Sequence, residues 1–452
     1  MKIIILGAGQ VGGTLATDLS REKHDVTVVD SNPQKLQELQ QRLDILTITG
    51  RASYPEVLRQ AGAKDADLMI AVTDSDEVNM IACLVGSALF AIPTKIARIR
   101  SSHYFIRDKL FGDGHMPIDV FITPEQLITQ SIQRIIHRPG AIQVLDFAQG
   151  NVQLIVIKAV AGGILLGRSL SSLQEELFGI ESRVLAVFRN NHSLPLKSSN
   201  CIAVGDEIFF IAATESVDTI MAALHRPTDP YKRIMIVGGG RVGSCLAEVL
   251  QEDYQVKIIE QNREQCELLA KRLNDSTTVL HGSADDQELL LNENIQNIDV
   301  FCAMTDDDEV NIMSSLQAKR LGAKYIIALI KRTSYADMIE GSGIDVVISP
   351  HQVMVGSILT HVRSANVESL YVLRRGAAEA IEVIVRGDKK TSKVIGRSLV
   401  NIAMPNGTAI GAILRNHTVI IPVQETVIES DDHVILFIPD KRYIHDIEKL
   451  FG

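Results

Sequence analysis

Two glycine-rich segments contain the residue types and spacing that could bind a dinucleotide. Both read GxGxxG: the first contains Gly7, Ala8, Gly9, Gln10, Val11 and Gly12, and the second contains Gly238, Gly239, Gly240, Arg241, Val242 and Gly243. In this motif the first glycine permits a tight turn, the second lets the backbone approach a pyrophosphate, and the third allows close helix–strand packing. The N-terminus of the following helix then favours phosphate. The motif is informative only between a strand and a helix, where both copies are predicted to lie.

An acidic residue follows each glycine-rich segment at the distance expected for ribose recognition. Asp30 ends the second predicted strand of the first copy, and Glu260 holds the same place in the second copy. Such a carboxylate can accept hydrogen bonds from the adenosine ribose hydroxyls and would repel a 2′-phosphate. NAD(H) is therefore favoured over NADP(H), while ATP or ADP is also compatible with the motif. The alternative interpretation is a Rossmann fold that has lost its ligand.

Further candidate ligand contacts lie where the fourth predicted strand of each copy ends. Thr73 and Asp74 in the first copy, and Thr305 and Asp306 in the second, stand at the carboxyl edge of the sheet, where ligands of such sheets bind. The polar and acidic residues that follow, 75–77 and 307–309, are better interpreted as helix caps and partners of the helix dipole. A divalent-cation site among them is the less favoured alternative.

Two arginines could contact ligand phosphates, and they make the two sites unequal. Arg98 ends the fifth predicted strand of the first copy, where the second copy has Leu329. Arg241 stands where the first copy has Gln10, so it could supply a different positive charge to the second site. Each arginine could instead be a solvated surface residue.

The chain is a tandem duplication. Besides the glycine-rich segment, residues 71–80 return as 303–312, residues 167–170 as 396–399, and residues 187–190 as 413–416, in the same order. Such self-similarity indicates two copies of one unit. Each copy begins with short apolar runs that alternate with helical segments, which predicts an α/β fold with a Rossmann-type, doubly wound parallel sheet. A small α+β domain follows in each copy.

The predicted boundaries place Rossmann-type domains at 1–123 and 232–349, and small domains at 140–225 and 367–452. Connecting helices at 124–139 and 350–366 join them, and a linker at 226–231 joins the two copies. Apolar residues recur at helical spacing in both connecting helices, as Ile128, Ile132 and Ile135 do in the first. These stripes either pack on their own domain or form a contact between subunits, and the spacing favours neither.

Composition excludes several classes of function. A net charge of −10 and a pI near 5.7 argue against bulk nucleic-acid binding and against charge-driven adhesion to an anionic membrane. No uncharged apolar stretch reaches the roughly 18 residues that a membrane span requires. Five cysteines without a CxxC pair fit free thiols in a reducing cytoplasm. We therefore expect a soluble, cytoplasmic protein without direct membrane insertion or bound nucleic acid.

The sequence favours ligand binding without turnover. Hydride transfer generally needs a positioned acid or base, most often histidine. None of the twelve histidines falls at matching positions in the two copies: His103 corresponds to Ser334, for example, and His137 to Arg363. The small domains are also short for the substrate domain of a dehydrogenase. An NAD-dependent oxidoreductase remains the alternative.

The motifs resemble those of the KTN/RCK family of ligand-binding domains that regulate bacterial potassium transport. The resemblance rests on residues 7–12 with Asp30, on residues 73–80 and 97–100, and on the duplicated four-domain order, and it covers the whole chain. It implies an NAD-binding regulatory subunit that forms a cytoplasmic homotetrameric ring on a membrane-embedded potassium-translocating subunit. The family's ligand positions would be residues 7–12, Asp30, Thr73, Asp74 and Arg98 in the first copy. In the second copy they would be residues 238–243, Glu260 and Thr305.

Leu329 departs from the arginine of the first site, which puts the affinity and ligand of the second site in question. Nucleotide binding would shift the shape of the ring and open or close the pore, provided that the ligand binds one state better than the other. A soluble nucleotide or redox sensor that acts on a different protein partner is the third interpretation.

Overall fold

The computed structural model describes residues 1–105, 110–111, 115–162, 165–169, 182–189, 192–194, 200–224, 230–339, 341–363 and 366–451. Positions 170 and 190 of the repeated blocks, and positions 226–229 of the predicted linker, lie outside the described residues. The chain forms two compact units. The first consists of Met1–Pro124 with His351–Ala365, and the second of Glu125–Pro350 with Asn366–Gly452.

The first unit contains a six-stranded parallel sheet with the strand order β3-β2-β1-β4-β5-β6. Its strands are β1 (Lys2–Leu6), β2 (Asp25–Asp30), β3 (Leu46–Thr49), β4 (Leu68–Ala71), β5 (Thr94–Arg98) and β6 (Val120–Ile122). The helices between them are α1 (Gln10–Arg21), α2 (Pro33–Gln40), α3 (Pro55–Gln60) and α4 (Asp76–Phe90). The chain order reverses between β1 and β4, so the crevice for a ligand lies beside β1.

Continuous apolar runs explain why β1 and β4 are central. Residues 3–6 of β1 and all four residues of β4 are buried, and Ile5 pairs with Val28 on one side and with Ile70 on the other. Helices cover both faces of such a parallel sheet, so its strands are apolar on both sides rather than alternating. This confirms the predicted α/β fold with a doubly wound sheet.

The second unit repeats this sheet with the strand order β14-β13-β12-β15-β16-β17. Its strands are β12 (Arg233–Val237), β13 (Gln255–Glu260), β14 (Thr278–His281), β15 (Val300–Ala303), β16 (Tyr325–Leu329) and β17 (Val346–Ile348). Its helices are α7 (Arg241–Leu250), α8 (Arg263–Arg272), α9 (Gln287–Asn292), α10 (Asp308–Arg320) and α11 (Thr333–Met338).

The helix after each parallel sheet packs with the sheet of the other copy. Helix α5 (Pro124–Ile136) belongs to the second unit, where Ile128, Ile132 and Ile135 join the core formed by β12, α7 and their neighbours. Burying each of these isoleucines stabilises the packing by about 1.5–3 kcal/mol. Helix α12 (Pro350–Val362) belongs almost wholly to the first unit, where the following Arg363 pairs with Glu22 at 2.8 Å. The sequence predicts that each connecting helix packs on its own domain or forms a contact between subunits. The structure shows neither arrangement, because each helix packs with the other copy within one chain.

The second unit also contains two antiparallel five-stranded sheets with one topology, β7-β8-β11-β9-β10 and β18-β19-β22-β20-β21. The first is built from β7 (Ala141–Phe147), β8 (Val152–Lys158), β9 (Ser182–Arg189), β10 (His192–Leu194) and β11 (Glu207–Ala213), with helix α6 (Val217–Leu224). The second is built from β18 (Val367–Leu373), β19 (Ala378–Ile384), β20 (Ala409–Arg415), β21 (Thr418–Ile420) and β22 (His433–Ile438), with helix α13 (Ile444–Phe451).

These two small domains pack on each other through a shared apolar core. The Phe209 and Phe437 rings, one from each domain, have centroids 5.8 Å apart. The Tyr371 hydroxyl donates to the Asp146 carbonyl at 2.9 Å, which adds a polar contact across the same interface.

Among the described residues, no helix is long and apolar enough to cross a membrane.

Candidate nucleotide-binding sites

The first glycine-rich loop has the geometry that its spacing predicts. Gly7 adopts a φ of +107°, and a Cβ added there would lie 3.2 Å from the backbone of Thr73. A Cβ added to Gly12 would lie 1.8 Å from the Gly7 carbonyl oxygen, so only glycine allows α1 to start this close to β1. A Cβ at Gly9 would meet nothing within 4 Å. Gly9 therefore borders open space, where a pyrophosphate could approach the backbone.

Helix α1 presents an open N-terminus to this space. Its N-cap residue is Gly9, which makes no side-chain cap, and its first turn contains no acidic residue. Helix α4, in contrast, is capped by the Ser75 hydroxyl and carries Asp76 and Glu77 in its first turn. The amides and positive dipole end of α1 thus remain available to an anion, whereas the N-terminus of α4 is already compensated.

Asp30 lies beside this loop and is held by the backbone. Its Oδ2 accepts the Ala8 amide at 2.6 Å, and its Oδ1 accepts the Asn32 amide at 2.7 Å. A carboxylate oxygen can accept more than one hydrogen bond, so both oxygens retain acceptor capacity for ribose hydroxyls. The structure therefore brings the predicted ribose acceptor and the predicted phosphate loop together.

A buried asparagine organises the end of β4. Asn79 Oδ1 accepts both the amide and the hydroxyl of Thr73, at 3.0 and 2.7 Å, while its Nδ2 donates to the Arg98 carbonyl at 2.9 Å. Asn79 thereby joins the ends of β4 and β5 at the ligand edge of the sheet. Sequence reasoning did not assign it a role, although its recurrence as Asn311 in the repeated block was a usable signal.

Arg98 is buried beneath the segment that contains Thr73 and Asp74. Its side chain donates to the Thr73 carbonyl, and the residue is 7% exposed, so the interpretation as a solvated surface residue is wrong. Asp74, in the same segment, is exposed. The positive charge of Arg98 thus lies at the edge where Thr73 and the glycine-rich loop meet.

The residues after Thr73 have different structural roles: Ser75 caps α4 as expected, whereas Asp76 accepts backbone amides outside this helix. Asp76 accepts the amides of Arg100 and Ser101 at 2.8–3.0 Å and fixes the chain after β5. Hydrogen bonds from Tyr104 and then Ser75 lower the pKa of Glu77, so this carboxylate stays ionised at the start of α4. Within the described part of the chain, no group of three or more histidine, cysteine or acidic side chains could hold a metal ion.

The second glycine-rich loop repeats the arrangement of the first. Gly238 has a φ of +96°, a Cβ at Gly243 would lie 1.9 Å from the Gly238 carbonyl oxygen, and Gly240 borders open space. Glu260 Oε2 accepts the Gly239 amide at 2.7 Å, and its Oε1 accepts the Asn262 amide at 2.7 Å. Helix α7 likewise has no side-chain cap and no acidic residue in its first turn, and Val242 lies within that turn. Thr305 is held by Asn311 as Thr73 is by Asn79.

The charges around the two loops differ. Leu329 is buried where the first site has Arg98, so this position supplies no cation. Lys331, two residues further on, instead reaches Asp306, with its Nζ 2.7 Å from the carbonyl oxygen and 2.8 Å from Oδ1. Sequence reasoning missed Lys331, whose position just after β16 was the available signal. The Arg241 side chain is 66% exposed and lies 4.0 Å from Glu125 of α5.

The family model described as the TrkA-N domain matches residues 3–124 and 234–350, and the one described as the TrkA-C domain matches residues 388–452. Fold and family models thus define a duplicated protein with one Rossmann-type TrkA-N domain in each copy.

A relative from Halomonas elongata, named Trk system potassium uptake protein TrkA, is 52% identical over 451 residues, which cover 100% of this chain and 98% of the relative. A protein of the same name from Vibrio alginolyticus is 49% identical over 452 residues, covering 100% of this chain and 98% of that protein. The chain belongs to the TrkA family of Trk-system potassium uptake proteins. Since its relatives are named as components of potassium uptake, the prediction of a protein that is not an enzyme is confirmed.

A solved structure shares the fold at low sequence identity. The structure described as the GsuK channel bound to NAD has a TM-score of 0.61 and 18% identity, and the match covers 100% of this chain and 78% of that one. At this identity the likeness supports the fold and leaves the ligand open.

Proposed function

We propose that this chain binds NAD(H) at its glycine-rich sites and, in response, regulates a membrane-embedded potassium-translocating subunit. The observation that carries the proposal is the pairing of an uncapped helix N-terminus with a backbone-anchored carboxylate, once at Gly9 and Asp30 and again at Gly240 and Glu260. This pairing presents donors for phosphate and acceptors for ribose within one crevice.

In the proposed first site, the amides at the start of α1 bind the pyrophosphate and Asp30 binds the adenosine ribose. Arg98 adds a positive charge beneath the Thr73 and Asp74 segment, which favours an anionic ligand. In the second site α7 and Glu260 take the first two roles, and Thr305 lies at the sheet edge. Because Leu329 replaces Arg98, we expect the second site to bind the same ligand more weakly.

ATP or ADP is the alternative ligand at either site. Both present a free ribose and a chain of phosphates to the same groups. Arg98 favours this alternative in the first site specifically, because a terminal phosphate carries more charge than the nicotinamide half of NAD(H). The carboxylates of Asp30 and Glu260 disfavour NADP(H) at both sites, since each would face the 2′-phosphate.

The proposed role in transport follows from the family. Its members are named for the Trk potassium-uptake system, and no described helix of this chain could itself cross a membrane. We therefore infer a cytoplasmic homotetramer that attaches to the inner face of the cell membrane through its potassium-translocating partner. A shift of the partner from mostly closed to mostly open needs about 5.5 kcal/mol of differential ligand affinity, which several sites in a ring supply jointly.

The binding proposal is tested by calorimetric titration of the full-length protein with NADH, NAD+, ATP and ADP. Asp30→Asn and Glu260→Gln are suitable variants, because each removes the charge while its carboxamide oxygen can still accept one of the two backbone amides. Each variant is expected to lose one class of sites, and the variant with both changes is expected to lose both. Saturable binding that survives both changes would refute the assignment of these sites.

The regulatory proposal needs a transport measurement. The protein is added to vesicles that contain its co-purified potassium-translocating partner, and potassium flux is followed with and without the tightest-binding nucleotide. Flux is expected to respond to nucleotide with wild-type protein and not with the variant that carries both changes. Nucleotide binding without any change in flux would favour a sensor that acts on a different protein.

A further inference from the structure

The two small domains share one topology, so corresponding positions can be matched residue by residue. Each contains the same ion pair between a partly exposed arginine and a buried aspartate, Arg189 with Asp206 in the first domain and Arg415 with Asp432 in the second. Each arginine ends its strand. The strands that precede these arginines, β9 and β20, contribute to the face where the domains meet. Differences between matched positions on this face therefore distinguish pairing of unlike domains from pairing of like domains.

The first difference is one of size. Counting back four residues from each arginine gives Leu185 in the first domain and Gly411 in the second. A Cβ added at Gly411 would lie 3.0 Å from Leu185 Cδ2 and 3.1 Å from Ile211 atoms, so the leucine fills the space that the glycine leaves. A pair formed by two copies of the first small domain would bring two leucines into this position. A pair formed by two copies of the second small domain would leave a void there. Both arrangements are destabilised relative to the observed fit.

The second difference is one of charge. Arg374 and Ala148 occupy matched positions, each directly after the first strand of its sheet. The Arg374 guanidinium pairs with Glu207 of the first domain and lies 4.1 Å from the centroid of the Phe188 ring. The residue matched to Glu207 is His433, the first residue of β22. Two first domains would therefore leave Glu207 opposite alanine, and two second domains would place Arg374 opposite histidine.

A third contact is also asymmetric. The Glu382 side chain is 1% exposed and lies 2.6 Å from His433 Nδ1 within its own domain. Its Oε2 accepts the Ala148 amide of the first domain at 2.9 Å. The matched residue in the first domain is Val156, which has no acceptor to offer. A pair of first domains would thus leave the amides at position 148 without this buried acceptor, which is costly.

We propose that these contacts make the facing surfaces of the two small domains specific for each other and exclude pairing of like domains. The partner for each small domain is then the unlike small domain, and in this structure it belongs to the same chain. Because a pair of like domains requires two chains, this specificity prevents neighbouring chains from being linked through like small domains. Electrostatic and steric mismatch against the wrong partner is a general route to such specificity.

The test uses full-length protein and two readouts, the molar mass by light scattering over a concentration series and the midpoint of thermal unfolding. Arg374→Glu places two carboxylates together in the observed pair but sets Glu against His433 in a pair of second domains. This variant is expected to form species heavier than wild type as concentration rises, with an unfolding midpoint lowered by about 5 °C. Glu207→Arg combined with Arg374→Glu is expected to restore the wild-type mass and at least half of the lost midpoint.

The size difference is tested in the same way. Gly411→Leu alone is expected to lower the midpoint by about 5 °C, and the exchange Leu185→Gly with Gly411→Leu is expected to recover at least half of that loss. Arg442→Ala, which removes an exposed ion pair within the second domain, should change neither readout. If Arg374→Glu does not fold, Arg374→Gln provides the milder change with the same expected direction. Wild-type mass at every concentration, or paired changes no better than single ones, would overturn the proposal.

Discussion

Two of the three glycines of the first loop, Gly9 and Gly12, should respond differently in stability when each is changed to alanine. Gly9 has a φ of −71° and a ψ of −172°, which alanine adopts without strain, and its added Cβ would meet nothing within 4 Å. Gly12→Ala would instead place a methyl group 1.8 Å from the Gly7 carbonyl oxygen. We therefore expect Gly9→Ala to weaken nucleotide binding without loss of stability, and Gly12→Ala to impair both.

The magnitudes follow from these contacts. Gly9→Ala is expected to stabilise the ligand-free protein by about 0.4–1 kcal/mol, because alanine has less freedom in the unfolded chain. The methyl group would keep a pyrophosphate from the amides of α1, and loss of one charge-assisted hydrogen bond costs about 1.5–3 kcal/mol. Affinity should therefore fall between about tenfold and about a hundredfold. Gly12→Ala should destabilise the domain by about 1–3 kcal/mol through overpacking.

The assay is thermal unfolding of each variant without ligand, followed by titration with NADH. Gly240→Ala is the matched change in the second loop and separates the contributions of the two sites to the titration. Wild-type affinity at the first site in Gly9→Ala would show that the ligand does not approach this backbone. A large drop in the unfolding midpoint of Gly9→Ala would show that the space beside Gly9 is occupied by the protein itself.

Three further changes have expected outcomes. Arg98→Leu introduces the residue that the second site has at this position. Because a buried cation is lost, nucleotide affinity at the first site should fall by about tenfold in titrations and should depend less on salt concentration. Ser75→Ala removes the N-cap of α4 and should lower the free energy of unfolding by about 1 kcal/mol in denaturant titrations. Burial raises the pKa of Asp206, but hydrogen bonds led by that from Arg189 outweigh it and leave the pKa lowered. The ionised carboxylate therefore stabilises the fold above about pH 4, and this stabilisation is lost on acidification. In Asp206→Asn the free energy of unfolding should fall by about 1–3 kcal/mol at neutral pH and should depend less on pH in the acid range.

Sequence reasoning succeeded where one residue type has one geometric reason. The glycine-rich loops could be predicted because positive φ at Gly7 and near-contact at Gly12 admit no other residue, and the duplication supplied a second instance of each. The carboxylates of Asp30 and Glu260 could be placed because parallel strands end at one edge of the sheet. Local rules of this kind require no knowledge of which distant elements meet.

It failed where the outcome depends on distant packing. The apolar stripe of α5 requires a partner surface, but periodicity does not identify that surface, and the structure places it on the sheet of the second copy. The burial of Arg98 likewise depends on the carbonyl of Thr73 lying within reach. Lys331 contacts Asp306 because its long side chain reaches back to the end of β15. Neither the partner surface of α5 nor the burial of Arg98 can be predicted from the spacing of residues along the chain.

The exchange of α5 gives the second site a neighbour from the first copy, with a measurable consequence. Glu125, on α5, lies 4.0 Å from Arg241 at the start of α7, where the phosphates of a ligand would bind. A carboxylate there competes with phosphate for the arginine, so Glu125→Gln should raise affinity at the second site. Since Arg241 is two-thirds exposed, the gain should correspond to about 0.2–1 kcal/mol, or at most about fivefold.

The measurement is titration of Glu125→Gln in an Asp30→Asn background, where only the second site is expected to bind, with Arg241→Gln as the matched control. If the carboxylate acts through the arginine, Glu125→Gln should have no effect once Arg241 is replaced, and the gain should shrink as salt screens the pair. A gain that persists in Arg241→Gln would mean that Glu125 affects the ligand directly. Unchanged affinity in both backgrounds would mean that the helix contributed by the first copy does not influence the second site.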